Sequence, residues 1–385
     1  MKKISFFLVF IMICSICVSP AFAAPADAVA PYTSALSAIV IDAESGVVLH
    51  ERNANAKMPI ASTTKILTAL VVIENCDVEE TVEIKPEYTS IEGSSIYLKA
   101  GEKLTVRELL YGLMLESGND AAVALACHTA GSTEAFAQLQ NAKLTELGCA
   151  DSTFKNPHGL DVDGQYSTAR DLAVFTAAAM KNDIFCDIVS TKTINVAGRY
   201  FVNHNRLLWS CDGALGVKTG YTKVAGRSLV SCVERDGMRL VCVTLSDPND
   251  WCDHEAMYNW AFAKYNRIAV SKDDVSYGNL PVLSGTKESV SVRPDGDYSF
   301  VVSKHDEVAQ KTDLPKFVDA GVKAGECAGT LTVIKNNEEI AVIPLVFTED
   351  VELDESVPLT RWEKIKCSLY IANKYGAHRD GCMGY

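Results

Sequence analysis

Three short groups of residues could together carry out acyl transfer at a carbonyl: Ser62-Thr63-Thr64-Lys65, Ser117-Gly118-Asn119 and Lys218-Thr219-Gly220. A serine hydroxyl is a weak nucleophile until a base takes its proton, and a lysine serves as that base only when neutral. Bringing a lysine from about 10.4 to near 7 costs roughly 4 to 5 kcal/mol, at 1.36 kcal/mol per unit. Burial and a second nearby cation push in that direction, and Lys218 would be the cation. Ser117 could relay a proton to a leaving amine. Gly220 would let a substrate backbone approach a strand closely.

Spacing alone does not select the nucleophile, because Ser-x-x-Lys also occurs at Ser152 to Lys155 and Ser284 to Lys287. Lys155 runs directly into Asn156-Pro157, and Ser284 sits beside Gly285 in a loop pattern. Ser62 instead follows Pro59 and leads into Thr63 to Glu74, where Ile66, Leu67, Leu70, Val71 and Ile73 recur at near-helical spacing. Only there does the lysine fall one turn on, on the same face. The Ser62 amide then lies at a helix N-terminus, where amides stabilise a developing oxyanion. Each group alone has a plainer reading as a helix cap, an interhelical turn or a solvated loop; their order and combination favour a nucleophilic site.

The elements that must position these residues are also legible. Ala38 to Asp42 and Val47 to Glu51 flank a Glu-Ser-Gly turn and predict a hairpin. Thr105 and Glu108 form a capping-box pattern for a helix running towards Glu116. Gly118 interrupts it, and Asp120 is expected to cap a second helix through Ala126. Ser132 and Gly148 bracket another helix, and Ser167 precedes one carrying Leu172, Phe175 and Met180. Leu229 to Val233 and Met238 to Leu245 are joined through Asp236-Gly237, a tight-hairpin signal. Strands on both sides of a helical middle predict an α+β domain whose sheet is completed by its two ends. From about Asn279, the segments Ser289 to Arg293, Tyr298 to Ser303, Thr330 to Ile334 and Ile340 to Phe347 predict a small all-β domain. The expected organisation is a leader over 1–23, a catalytic domain over 24–278, a β-domain over 279–350 and a basic tail over 351–385.

Composition limits the function. The 385 residues, 48% hydrophobic, suffice for two domains. Lys2 and Lys3, the apolar run Ile4 to Val18 and Ala21-Phe22-Ala23 form a secretory-signal pattern, with a mature start expected near Ala24. That run is shorter than a bilayer span of about 20 residues, so the remaining chain is expected to be extracytoplasmic and soluble. The formal charge of −13, or −15 once Lys2 and Lys3 leave, argues against nucleic acid as a partner. Of 13 cysteines, Cys14 and Cys17 fall in the leader. The odd number left has no metal-like C-x-x-C pair and leaves disulfide pairing open. In the tail, Trp362, Ile365, Leu369 and Ala372 recur at helical spacing among Arg361, Lys364, Lys366 and Lys374. That pattern suits a helix lying on an anionic membrane, the alternative being a helix packed on the β-domain.

The three groups, in this order, resemble the motifs of the serine penicillin-binding proteins and β-lactamases. Phe154 to Leu160, Asn205 to Leu208, and Lys218 to Thr222 followed by Ala225-Gly226 are similar to the low-molecular-mass D-alanyl-D-alanine carboxypeptidases, a resemblance running from about Ser34 to Phe347. It implies a penicillin-binding transpeptidase/β-lactamase-like domain, an antiparallel sheet flanked by helices. Ser62 would be the acylated nucleophile and Lys65 its base. Ser117 and Asn119 would relay protons and position substrate. Lys218, Thr219 and Gly220 would bind the terminal carboxylate side of the substrate, and the amides of Ser62 and Tyr221 would form the oxyanion hole. The implied substrate is the stem pentapeptide of peptidoglycan, which loses its terminal D-alanine, with β-lactams as covalent inhibitors and no cofactor or metal.

One departure is His254, before Glu255-Ala256, where many relatives carry an arginine held to contact that carboxylate. His128 and His158 are expected to be structural. A β-lactamase would need a second base, commonly in a Glu-x-x-Leu-Asn segment, and none lies between Asn119 and Lys218. An endopeptidase acting on cross-links, and a catalytically idle wall-binding protein of the same fold, are the other readings.

Overall fold

The computed structural model describes residues 29–354 and 356. The expected leader and the tail helix around Trp362 lie outside the described residues. The first sheet has five antiparallel strands in the order Val48–Arg52, Ser37–Asp42, Met238–Leu245, Gly226–Arg235, Ala214–Thr222. The early hairpin thus docks on the late one, with Ser37 opposite Leu245 and Asp42 opposite Leu240. At the late turn, Asp236 (φ 50°) and Gly237 (φ 73°) both adopt the left-handed conformation that a two-residue type I′ hairpin demands.

Alternation along these strands gives the sheet two apolar faces. Ile39, Ile41, Val217, Val230, Val241 and Val243 face the helical middle of the chain. Val40, Leu229, Leu240 and Cys242 pack instead with Met257, Tyr258 and Ala261 of the helix Asp250–Lys264. The expected α+β class is therefore the observed one. At the centre of the helical layer lies Lys65–Asn75, buried from Lys65 to Val72. Around it are Val106–Leu115, Asn119–Ala130, Thr133–Glu146 and Ala169–Ala179.

The Thr105–Glu108 capping box forms in both directions, and Ser132 caps Thr133–Glu146. Ser167 precedes Ala169–Ala179 as expected, and Thr168 caps that helix. One expected cap is corrected. Asp120 does not cap Asn119–Ala130; Gly118 occupies that position with no side-chain bond. The Asp120 carboxylate turns to the preceding loop, accepting from the Ile96 and Leu98 amides at 3.1 Å each and from the Ser95 hydroxyl at 2.6 Å.

The later strands form a six-stranded sheet around a core that includes Val290, Val292, Leu331, Val333 and Leu345. All four expected segments are strands, three of them in this sheet and Tyr298–Ser303 outside it. Gly278–Leu283 and Val308–Asp313 are strands the pattern did not announce; the latter is polar and exposed beyond Val308, so burial leaves no alternation to read. Tyr265–Val270 pairs with Tyr298–Ser303, joining the two parts. The nine described cysteines are all free, with Cys232 and Cys242 buried in the first sheet.

Candidate active site

Ser62 lies in a 3-10 turn, Ala61–Thr64, and the α-helix begins at Lys65 rather than at Thr63 as the periodicity suggested. The turn is tightened by its own side chains: Thr63 and Thr64 hydroxyls donate to the carbonyls of Ile60 and Ala61 at 2.6 and 2.8 Å. It is also clamped from outside. Gly159 has φ +90°, and a Cβ there would stand 1.9 Å from the Ala61 carbonyl oxygen, so only glycine lets this loop rest on the turn.

Lys65 is fully buried, and its Nζ has three neighbours: Ser62 Oγ at 3.0 Å, Asn119 Oδ1 at 2.7 Å and the His158 carbonyl oxygen at 2.6 Å. The Asn119 amide is oriented because its Nδ2 donates to the Glu92 carbonyl at 2.6 Å. A neutral amine has two hydrogens for the two carbonyl oxygens and one lone pair for the Ser62 hydroxyl. Burial, then the charge of Lys218, hold Lys65 well below the ordinary lysine range, against a smaller opposing pull from Asp120. Ser117, at φ 62° between two helices, is buried to 6% exposure and brings its residue into the same cleft.

Lys218, Thr219, Gly220 and Tyr221 lie on the edge strand Ala214–Thr222. Gly220 passes so close to the Ser62 turn that a Cβ would meet the Ile60 carbonyl at 3.0 Å and the Thr63 methyl at 3.2 Å. Lys218 is buried, donates to the Thr219 carbonyl at 3.1 Å, and is lowered to about 7 by burial, with Glu116 opposing. Ser62, Ser117, Thr219, Gly220 and Tyr221 line one cleft of about 330 Å³. Lys65 and Asn119 sit beneath it, joined to each other. The eight residues expected to form the site thus gather around this cleft.

His254 does not reach that cleft. It is fully buried between Ser231 Oγ (2.6 Å) and Thr244 Oγ1 (2.9 Å), and burial drives it down to about 3. His128 sits at the surface, 3.0 Å from Glu80. His158 contributes its carbonyl to Lys65, while its ring nitrogen accepts from the Leu160 amide at 3.2 Å. The sequence reading missed His204, Arg227 and Ser228 in the cleft wall. Arg227 and Ser228 directly follow Ala225-Gly226, the last residues of the segment that carries the family resemblance. Among the described residues, no group of His, Cys, Asp and Glu could hold a metal ion.

A serine one turn from a buried lysine, at a sheet edge flanked by helices, is the arrangement of the penicillin-binding class of enzymes. Residues 24–249 match the family model described as D-alanyl-D-alanine carboxypeptidase, and residues 265–353 that of the penicillin-binding protein 5 C-terminal domain. The chain is 31% identical over 334 residues to D-alanyl-D-alanine carboxypeptidase DacF of Bacillus subtilis, covering 83% of this chain and 86% of the relative. To DacC of Escherichia coli it is 32% identical, covering 86% and 88%. Among solved structures, penicillin-binding protein 5 of Haemophilus influenzae superposes with a TM-score of 0.70 at 27% identity, covering 84% of this chain and 99% of the other. The chain belongs to the D-alanyl-D-alanine carboxypeptidase family of serine peptidases.

Proposed function

We propose that this carboxypeptidase removes the terminal D-alanine of peptidoglycan stem pentapeptides through an ester on Ser62. The observation that carries the assignment is the fully buried Lys65, whose Nζ lies 3.0 Å from Ser62 Oγ, within reach of the hydroxyl proton. Ser62 Oγ attacks the carbonyl carbon of the penultimate residue and passes its proton to Lys65. The amides of Ser62 and Tyr221 receive the oxyanion. Collapse breaks the peptide bond, and the departing D-alanine amine takes up a proton relayed through Ser117. Water then cleaves the ester, with Lys65 again as base. Asn119 positions Lys65 and the substrate, and Lys218, Thr219 and Gly220 bind its C-terminal end. A β-lactam amide would enter the first step in place of the peptide.

The same reading places the protein outside the cytoplasmic membrane, exported through residues 1–23 and touching an anionic membrane through the tail. It takes 24–278 as the catalytic unit and 279–350 as the β-domain. Residues 1–23 show the three regions of a secretory signal, which supports export. No helix of the described residues is long and apolar enough to cross a membrane.

Mass spectrometry of a defined monomeric pentapeptide muropeptide and its cross-linked dimer tests the reaction. Loss of one alanine from the monomer is the expected result. Cleavage confined to the cross-link would make the enzyme an endopeptidase instead.

A further inference from the structure

The cleft wall holds an arginine and a serine that the mechanism above leaves unused. The strand register sets Arg227 opposite Tyr221 and Ser228 opposite Gly220. Residues directly opposite in an antiparallel pair share a face of the sheet, and Gly220 has no side chain to cover its neighbour. Ser228 lines the cleft, is only 1% exposed, and its hydroxyl has no hydrogen-bond partner. A buried hydroxyl left unpaired costs free energy that an incoming ligand oxygen would recover.

Arg227 lines the same cleft from the other face of the strand, where it is held rigidly. Its Nε and Nη2 form a fork on Asp250, at 3.2 Å to Oδ2 and at 2.7 and 2.9 Å to Oδ1 and Oδ2. Asp250 is buried and accepts the Trp251 amide at 2.9 Å. The Arg227 Nη1 group donates to no described residue, while the side chain keeps 44% of its surface exposed. Asp250 largely cancels the long-range field of the guanidinium, so Arg227 offers an anion directed N–H groups in a fixed plane. The other cations of the cleft are less constant. Lys218 is lowered to about 7, and His204 is lowered by burial and by Lys218.

We propose that Arg227 and Ser228 bind the terminal carboxylate of the peptide substrate, beside Thr219, at a position the buried His254 cannot serve. The Nη1 group and the Ser228 hydroxyl donate to the two carboxylate oxygens. The inference rests on the carboxypeptidase reading and adds that preference for a free C-terminus comes from this pair.

The test compares diacetyl-L-lysyl-D-alanyl-D-alanine with its C-terminal carboxamide in the full chain and two variants. Arg227→Gln is expected to lower kcat/KM for the acid by about 10- to 100-fold, mainly through KM, and to leave the carboxamide within about twofold. Ser228→Ala strands no buried carboxylate and should give the same pattern at roughly 3- to 10-fold. If the parent cleaves the acid and the folded variants keep its acid-to-amide ratio, or lose both activities equally, the inference is overturned. A parent that hydrolyses neither peptide would instead overturn the carboxypeptidase reading on which it rests.

Discussion

Asn119 Oδ1 lies 2.7 Å from Lys65 Nζ, and this bond links the second motif to the first across two helices. Its direction is fixed from behind, since the Asn119 Nδ2 is already committed to the Glu92 carbonyl. A carboxamide presents Lys65 with a neutral oxygen where a carboxylate would hold it charged. The asparagine therefore orients the base without raising its proton affinity as an aspartate would.

Ser62→Ala is expected to abolish labelling by a fluorescent penicillin, with Ser152→Ala and Ser284→Ala still labelled. Ser152 Oγ is bound to Asp171 at 2.7 Å and to Ser167 at 2.7 Å, with no lysine amine among its partners. Persistent labelling of the Ser62 variant would place acylation elsewhere.

Lys65→Arg should slow acylation by roughly 10² to 10⁴, because arginine stays protonated and cannot take the Ser62 proton. Stopped-flow acylation measures it. A variant acylating at the parent rate would require another base.

The charge of Lys218 is the second cause of the depressed Lys65 value, after burial. Removing it in Lys218→Gln should raise the Lys65 pKa towards its ordinary range. Since the base acts unprotonated, the acid limb of the acylation pH profile should move to higher pH. An unmoved limb would show that burial alone tunes Lys65.

His254 is neutral when folded, pushed to about 3, against about 6.5 when exposed. The unfolded chain therefore binds one more proton between these values, and stability is lost as pH falls from about 6.5 towards 3. The slope is on the order of 1.4 kcal/mol per pH unit. His254→Gln should be less stable than the parent at pH 7, with the gap narrowing by pH 4 in urea unfolding. A constant gap would contradict the assignment.

The tail, with Arg361, Lys364, Lys366 and Lys374, is expected to give modest, salt-sensitive binding to anionic vesicles, roughly 1 kcal/mol for each basic residue near the surface. Sedimentation of the chain from Ala24 against one ending at Pro358 measures this. Equal sedimentation would leave the enzyme free of the membrane.

What the sequence disclosed follows from how each residue works. Ser62 and Lys65 were legible because a helical turn fixes their relation, and Ser117 because it interrupts two apolar helices. The strands Gly226–Arg235 and Met238–Leu245 were legible because both faces are covered and their turn carries Asp-Gly. The His158 contribution was hidden because it is made by a carbonyl, which leaves no trace in residue type. Arg227 and Ser228 depend on strand register opposite Tyr221 and Gly220, which periodicity does not supply. His254 shows the converse: a place in a motif does not specify which way a side chain points, and this one points into the core.

Because the first strand of the sheet, Ser37–Asp42, pairs with Met238–Leu245, the domain can close only when roughly two hundred intervening residues are available. Synthesis delivers Ser62 and its helix early, the Lys218 edge strand much later, and Met238–Leu245, which closes the sheet, after that. Until then Ser62 has no strand against which a peptide could lie, and Lys65 lacks the neighbouring charge. The nascent chain therefore carries its nucleophile in an inactive form, and reactivity appears at once with closure of the sheet rather than accumulating as the chain lengthens.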